Sequence, residues 1–329
     1  MFSVLNINKP QGMTSHDVIW RVRRCVGIKK VGHAGTLDPM ATGVLPVCVG
    51  SATRLLEYFP TGKSYQLDVL FGIATDTLDA DGSVTEKIES KNVHNIDSEG
   101  ITVERIQSLC DEMVGTIEQK IPLYSAKKVK GKKLYEMARA GQHVEAPTKT
   151  VTIHQIQVHS VTCNEEGYPV ATIDVDCGTG TFMRAIARDL GEAVGCGAHL
   201  TRLLRTKHGV FSLEQSVDLE TLMESEDPGQ YFLSPLDYLT LPFLTLASQL
   251  LMKNLCNGQN LLQQVLLEEE PLLMGQLREL SVHNNDMICI QCASSQSVVI
   301  AQWKNHAIKP HKVLHDVLSE TKGLTTPVR

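Results

Sequence analysis

The sequence predicts an α+β architecture in two parts, and three observations carry that reading. Strand-like and helical patterns follow one another without the regular βαβ alternation of a doubly wound sheet. An acidic stretch over 214–242, broken by Pro228, Pro235 and Pro242, has the composition of a linker. Beyond it, residues 287–292 alternate and 297–303 form a short apolar run, the marks of a small β domain. A length of 329 residues suits about two domains. The expected division is 1–237, then 238–312, then a loose tail over 313–329.

The elements follow in order. Residues 2–7 read as a strand, succeeded by a Lys-Pro-Gln-Gly turn and a helix capped near Ser15. Val18, Ile19, Val22, Cys25 and Val26 share one face of that helix, Gly27 ends it, and Arg21 and Arg24 occupy the other face. Strand-like runs recur at 44–49, 65–71, 151–161 and 170–177, and helical patterns cover 102–113, 132–140 and 181–194. No internal repeat is evident.

Composition excludes several classes. With 42% hydrophobic and 21% charged residues, the chain is neither disordered, collagen-like nor a coiled coil. No apolar stretch approaches the roughly 20 residues of a membrane-spanning helix. Residues 1–10 pattern as a strand and not as a signal or transit peptide, so a cytoplasmic compartment, or an organellar stroma or matrix, is expected. Nine cysteines, an odd number scattered through apolar segments, read as reduced thiols. The single CxxC, Cys289-Ile-Gln-Cys292, has no second pair, and no metal is assigned.

A net charge of −6 argues weakly against nucleic acid until the charges are located. Residues 9–33 carry Lys9, Arg21, Arg23, Arg24, Lys29 and Lys30 against Asp17. Residues 120–139 carry seven cations against Glu136, while 214–237 hold seven carboxylates and no Lys or Arg. Segregated charge can create a positive groove for RNA or DNA on a protein of negative total charge. Either cluster taken alone reads first as a solvated helix face.

Three familiar motifs fail on spacing. Gly62-Lys63-Ser64 lacks the earlier P-loop glycine, whose place is held by Glu57. Residues 77–82 resemble a calcium loop, but Thr77 stands first and Ile88 occupies the glutamate position. Gly178-Thr-Gly180-Thr would need a third dinucleotide-fold glycine where Met183 stands, and reads as a tight turn. The dense stretch is Val31-Gly-His33-Ala-Gly35-Thr-Leu-Asp38-Pro39-Met-Ala-Thr-Gly43. Three glycines around one aspartate, with Pro39 restraining Asp38 toward extended backbone, describe either a rigidly held carboxylate or an Asx-type surface turn.

The string from Gly32 to Gly43 resembles the active-site motif of the TruB family of bacterial tRNA pseudouridine-55 synthases. Further segments are similar in the same order: Asn8-Lys9-Pro10-Gln-Gly12-Met-Thr-Ser15, Lys63-Ser-Tyr65, Thr75-Asp76-Thr77-Leu-Asp79-Ala-Asp81-Gly82 and Pro122-Leu-Tyr124-Ser125-Ala126. Gly131-Lys-Lys133-Leu-Tyr135-Glu136, Gly178-Thr-Gly180-Thr-Phe182-Met-Arg184 and Gly195-Cys-Gly197-Ala-His199-Leu200 complete the match, which spans about 3–212. Leu255-Cys-Asn257-Gly258-Gln259 is similar to the opening of the small PUA-type RNA-binding barrel of that family.

The resemblance implies a pseudouridine synthase domain with a mixed or antiparallel sheet flanked by helices, an RNA-clamping insert at about 120–143, and a PUA-like β domain. It implies isomerisation of one uridine in the tRNA T-loop, with no cofactor and no metal. The N1–C1′ bond must break, the uracil must turn without escaping, and C5 must bond C1′. Asp38 is then the single catalytic carboxylate, acting as nucleophile at C1′ or as base toward the 2′ proton, in a pocket kept dry. Burial penalises an ionised Asp38, and Arg184 is its expected cationic partner. Thr181 would cap the helix, placing Arg184 in its first turn against the macrodipole. Arg188, one turn on, faces a different environment and could pair with Glu192.

By the same resemblance Tyr65 stacks on the target uracil, and His33 fills the space left when the base is extracted. Gly35, Thr36, Leu37 and Phe182 line the pocket, Phe182 standing where the family has Tyr. Lys127, Lys128, Lys130, Lys132, Lys133 and Tyr135 would clamp the T-arm, and Lys9, Arg21, Arg24, Arg202 and Arg205 would extend the positive track. A monomer without an obligatory protein partner is expected. A guide-RNA-dependent relative and a non-catalytic RNA chaperone are the rivals. The insert at 122–141 argues against the first, and the intact Asp38, Tyr65 and Arg184 set against the second, though chaperoning remains open as an additional role.

Overall fold

The computed structural model describes residues 2–93, 100–125, 127–129, 132–140, 146–292 and 297–315. In chain order the first part contains β1 (Phe2–Lys9), α1 (Ser15–Val26), β2 (Val31–His33), β3 (Thr42–Gly50) and β4 (Lys63–Phe71). It continues with α2 (Val103–Asp111), β5 (Gly115–Lys120), β6 (Thr148–Cys163), β7 (Pro169–Cys177), α3 (Met183–Val194), β8 (Ala198–His208) and β9 (Val217–Asp218). These strands build a ten-stranded mixed sheet along the path β9-β1-β3-β8-β4-β7-β6-β5, with β2 beside β3 and residues 211–212 beside β8. The β1–β9 and β3–β8 pairs are parallel, and the others antiparallel.

Burial along the strands follows from what covers the sheet. On one face, Val18, Ile19 and Val22 of α1, Ile106 and Cys110 of α2, and Ile186 and Leu190 of α3 pack on Leu5, Leu45, Leu67 and Val69. On the other face of β1 and β3, Phe2, Val4, Val44 and Cys48 meet Cys289, Val298 and Ile300 from the second part of the chain. Covered twice, β1 and β3 are apolar almost throughout. β4 and β7 alternate instead, because Gln66, Asp68, Thr172 and Asp174 lie on a face only partly shielded from water.

The second part contains β10 (Phe243–Thr245), α4 (Gln249–Cys256), β11 (Leu261–Leu262), α5 (Gln263–Glu269), α6 (Pro271–Glu279), β12 (Met287–Gln291), β13 (Val298–Trp303) and β14 (Ala307–Leu314). Its five strands run β10-β12-β13-β14-β11. The expected β character is present, but α4 to α6 were not anticipated. At 8, 7 and 9 residues, these leucine-rich segments are too short for a helical period to stand out. β14 also extends two residues into the expected tail.

The acidic 214–242 stretch is not a free linker. Val4 and Leu233 exchange backbone hydrogen bonds of 2.9 Å each way, and Tyr238 stacks on Phe211 at 4.7 Å. Its carboxylates are largely exposed while Leu219 and Leu222 enter the core, so composition reported the solvent side alone. No described helix is long and apolar enough to cross a membrane.

Candidate active site

Asp38 sits in the loop between β2 and β3, which two glycines make possible. A Cβ on Gly35, at φ +68°, would lie 2.7 Å from the His208 ring, and one on Gly43, at φ +101°, would lie 2.2 Å from the Arg205 carbonyl oxygen. Ser15 ties this loop to α1. The Leu37 N–H donates to Ser15 Oγ at 2.8 Å, and the same hydroxyl donates to Leu37 O at 3.1 Å. Thr14, not Ser15, caps the helix, in a reciprocal box with Asp17. Ser15 is thereby left to hold the residue before Asp38.

Lys9 corrects an expectation. It is fully buried, and its Nζ donates to the carbonyls of Pro10 at 2.8 Å, Met13 at 2.6 Å and Pro39 at 3.2 Å. Three inward carbonyls need three donors, which an ammonium supplies, so Lys9 braces the loop and offers no charge to an RNA surface. Burial pushes its pKa down to about 8. The Asp38 side chain is 39% exposed, open on one side where a closed pocket was expected. Drying the site therefore falls to whatever binds over it.

Arg184 is the partner the sequence suggests. Its Nε lies 3.0 Å from Asp38 Oδ2, with only 5% of the side chain exposed. Nη1 donates to Thr77 O at 2.9 Å and stands 3.5 Å from Asp79 Oδ2, and Nη2 donates to Tyr124 O at 3.0 Å. One guanidinium thus joins the Asp38 loop, the 76–82 turn and the start of the insert. Leu78, at φ +65°, is a strained position within that turn, between the Thr77 carbonyl and the Asp79 carboxylate that Arg184 meets. Asp79 was missed as a site residue. Its signal was the segment already set aside as a failed calcium loop.

The helix carrying Arg184 starts differently from expectation. Phe182 is the N-cap residue and Thr181 donates back to Gly178 O at 3.4 Å. The cap is made from outside the helix: the buried Gln119 accepts from Phe182 N at 2.8 Å and donates to Phe182 O at 3.2 Å. Arg188 turns away to the adjacent Asp189 at 2.8 Å, with Glu192 at 3.8 Å.

A cavity of about 290 Å³ opens beside Asp38. Gly35, Thr36, Leu37, Asp38, Tyr65, Phe182 and Arg184, all expected there, line it, as do Lys63, Ser125 and Leu203, which were not. His33 does not line it. The His33 ring is half-buried on β2, its basicity lowered by burial and then by Arg205 and His16. Tyr65 is 8% exposed, and burial raises the pKa of its phenol.

Arg205 is a second correction. Expected on the RNA track, it is completely buried, donating to Val44 O at 2.7 Å and Gly35 O at 2.9 Å, with its charge against the Tyr65 phenol. A bulge in β8 after Arg205 and the parallel crossing with β3 turn its side chain inward. Arg202, also expected on the RNA track, is exposed and pairs with Asp68 at 3.7 Å and Gln66 at 3.0 Å on the sheet face that those polar residues occupy. Arg24 is exposed on α1, Arg21 is partly so, and Lys127 is exposed in the insert. Lys130 and the side chains of Lys128, Lys132, Lys133 and Tyr135 lie outside what is described.

A mixed sheet with one arginine-held aspartate and a buried tyrosine at a cleft is the arrangement that the resemblance to pseudouridine synthases implies. The fold agrees. The crystal structure of a Cbf5-Nop10-Gar1 complex aligns with a TM-score of 0.63 at 21% identity, covering 96% of this chain and 86% of that one. A model of the TruB family pseudouridylate synthase N-terminal domain matches residues 23–183, and one of the tRNA pseudouridylate synthase B C-terminal domain matches 184–242. Proteins named tRNA pseudouridine synthase B are similar over long stretches. That of Acaryochloris marina is 43% identical over 72% of this chain and 78% of its own. That of Staphylococcus haemolyticus is 35% identical over 95% and 99%. The chain belongs to the TruB family of pseudouridylate synthases, which are isomerases.

Proposed function

We propose that this chain converts uridine 55 in the T-loop of tRNA to pseudouridine, with Asp38 as its one catalytic carboxylate. The observation that carries the reading is the 3.0 Å pair between Asp38 and the buried Arg184 at the wall of a nucleotide-sized cavity. The guanidinium favours the ionised carboxylate and fixes its direction. Asp38 then serves either as nucleophile at C1′ or as base at the 2′ position. Tyr65 forms a flat, buried wall for the uracil while N1–C1′ is broken. The cavity retains the base as it turns, C5 bonds C1′, and the proton lost from C5 is balanced by one gained at N1.

The bound RNA supplies the missing cover over Asp38, and extraction of the base costs a few kcal/mol of unstacking. Residues 1–237 form the catalytic unit, 238–312 an RNA-binding unit of PUA type, and the insert clamps the T-arm. The protein acts as a monomer without a protein partner. Carbodiimide labelling followed by alkali, which leaves the adduct on pseudouridine alone, tests the site on a tRNA transcript treated with the full chain: a single primer-extension stop reporting position 55 is expected, and a stop elsewhere or none overturns it.

A further inference from the structure

Helix α1 carries a feature that the catalytic reading does not use. Trp20 is 53% exposed, and the Arg24 guanidinium lies over its ring, 4.8 Å from the centroid. A single exposed apolar residue is ordinary. Here the neighbours make the difference. His16, Trp20 and Arg24 are all exposed and follow one another at four-residue intervals, so they form one ridge along the helix, about 6 Å apart in rise.

The ridge begins beside the residue that fastens the catalytic loop. His16 follows Ser15, whose hydroxyl holds Leu37 at 2.8 Å, one residue from Asp38. Cations outnumber acids along the helix and past its C-terminus, and the acidic 219–224 segment packs against α1 at Cys25. Among the described residues no carboxylate lies within ion-pair distance of Arg21, Arg24, Lys29 or Lys30, and the only acid of α1, Asp17, is engaged by Thr14. An aromatic face beside unneutralised cations is the chemistry that holds an unpaired nucleotide, since every base presents a π-face and every nucleotide a phosphate.

We propose that His16, Trp20 and Arg24 form a second RNA-contact ridge, on which an unstacked base of the RNA substrate, outside the catalytic pocket, lies against the Trp20 ring. Arg24 holds the ring in a fixed orientation and meets the adjoining phosphate. The inference rests on the synthase reading only in taking RNA as the substrate. Trp and Arg are also common at protein interfaces, but cations without ion-pair partners beside the exposed ring match a polyanion.

Trp20 and Trp303 are the only tryptophans of the chain, so a full-length Trp303→Phe variant reports on Trp20 alone. Titrated with a complete tRNA transcript, its emission should be quenched on binding. Trp20→Ala should raise Kd and KM about tenfold with kcat at saturating RNA unchanged, and Trp20→Phe should recover most of the loss. Arg24→Gln should lower the salt slope of binding by about one, which Trp20→Ala should not. Unquenched emission at saturating tRNA, or a wild-type KM in Trp20→Ala, overturns the ridge. If wild-type protein converts no uridine, the synthase reading fails by itself, and quenching together with the Kd of Trp20→Ala still decides the ridge.

Discussion

Four acceptors converge on the Arg184 guanidinium: the carboxylates of Asp38 and Asp79 and the carbonyls of Thr77 and Tyr124. A lysine keeps the charge but, as a point donor on a flexible stem, cannot reach all four. Arg184→Lys should therefore lower kcat about a hundredfold or more, with a much smaller change in RNA Kd, in single-turnover and filter-binding assays. Lys9 is the contrasting case. Its three carbonyl partners are buried, so Lys9→Met should cost about 1–3 kcal/mol in urea unfolding while leaving the salt slope of RNA binding unaltered. Asp38 is legible in the sequence because glycines and a proline bracket it locally. Lys9 and Arg205 are not, because what holds them is backbone carbonyl oxygen, some of it from distant strands, and charge counting cannot register that.

At the scale of elements, α3 delivers Arg184 from a first turn whose cap comes from β5. Gln119 satisfies both the N–H and the carbonyl of Phe182. Gln119→Leu should leave the Phe182 N–H unpaired, cost about 1–3 kcal/mol by denaturant unfolding, and reduce kcat by loosening the turn that aims Arg184. The extent of α3 was readable from the helical pattern over 181–194. Its capping was not, since the partner lies 63 residues away. For α1 the start was legible to within a residue: Thr14 caps, and Ser15 fastens the catalytic loop. The short helices α4 to α6 owe their form to packing against the second sheet, through Leu251, Leu266 and Leu273, more than to any local period.

At the scale of the molecule, the two sheets share a core in which Phe2, Val4 and Val44 meet Cys289, Val298 and Ile300. The chain should unfold in one calorimetric transition, and Ile300→Ala should lower the stability of the whole by about 2–5 kcal/mol without splitting it in two. Independent melting of the C-terminal part would contradict this. The composition of 214–242 suggested separable domains, because its carboxylates are visible in sequence and its docking through Leu233 and Tyr238 is not. Stability should also depend on pH through His208. Burial, then the charges of Arg205 and Lys63, push its pKa from 6.5 down to about 3. Between those values the unfolded chain binds a proton that the folded one does not. Its contribution is intact above pH 6.5 and falls as pH drops toward 3, and urea titrations should show a shallower fall for His208→Gln.

The central claim is that Asp38, held by Arg184, isomerises uridine without any other carboxylate acting on the sugar. The direct measurement is tritium release from a tRNA transcript labelled at uracil C5, with wild-type protein and Asp38→Asn side by side and RNA binding measured for both. The account predicts stoichiometric release by wild type and none by Asp38→Asn, with Kd unchanged within a few-fold. Release that survives in Asp38→Asn, or wild-type binding without release, would contradict it.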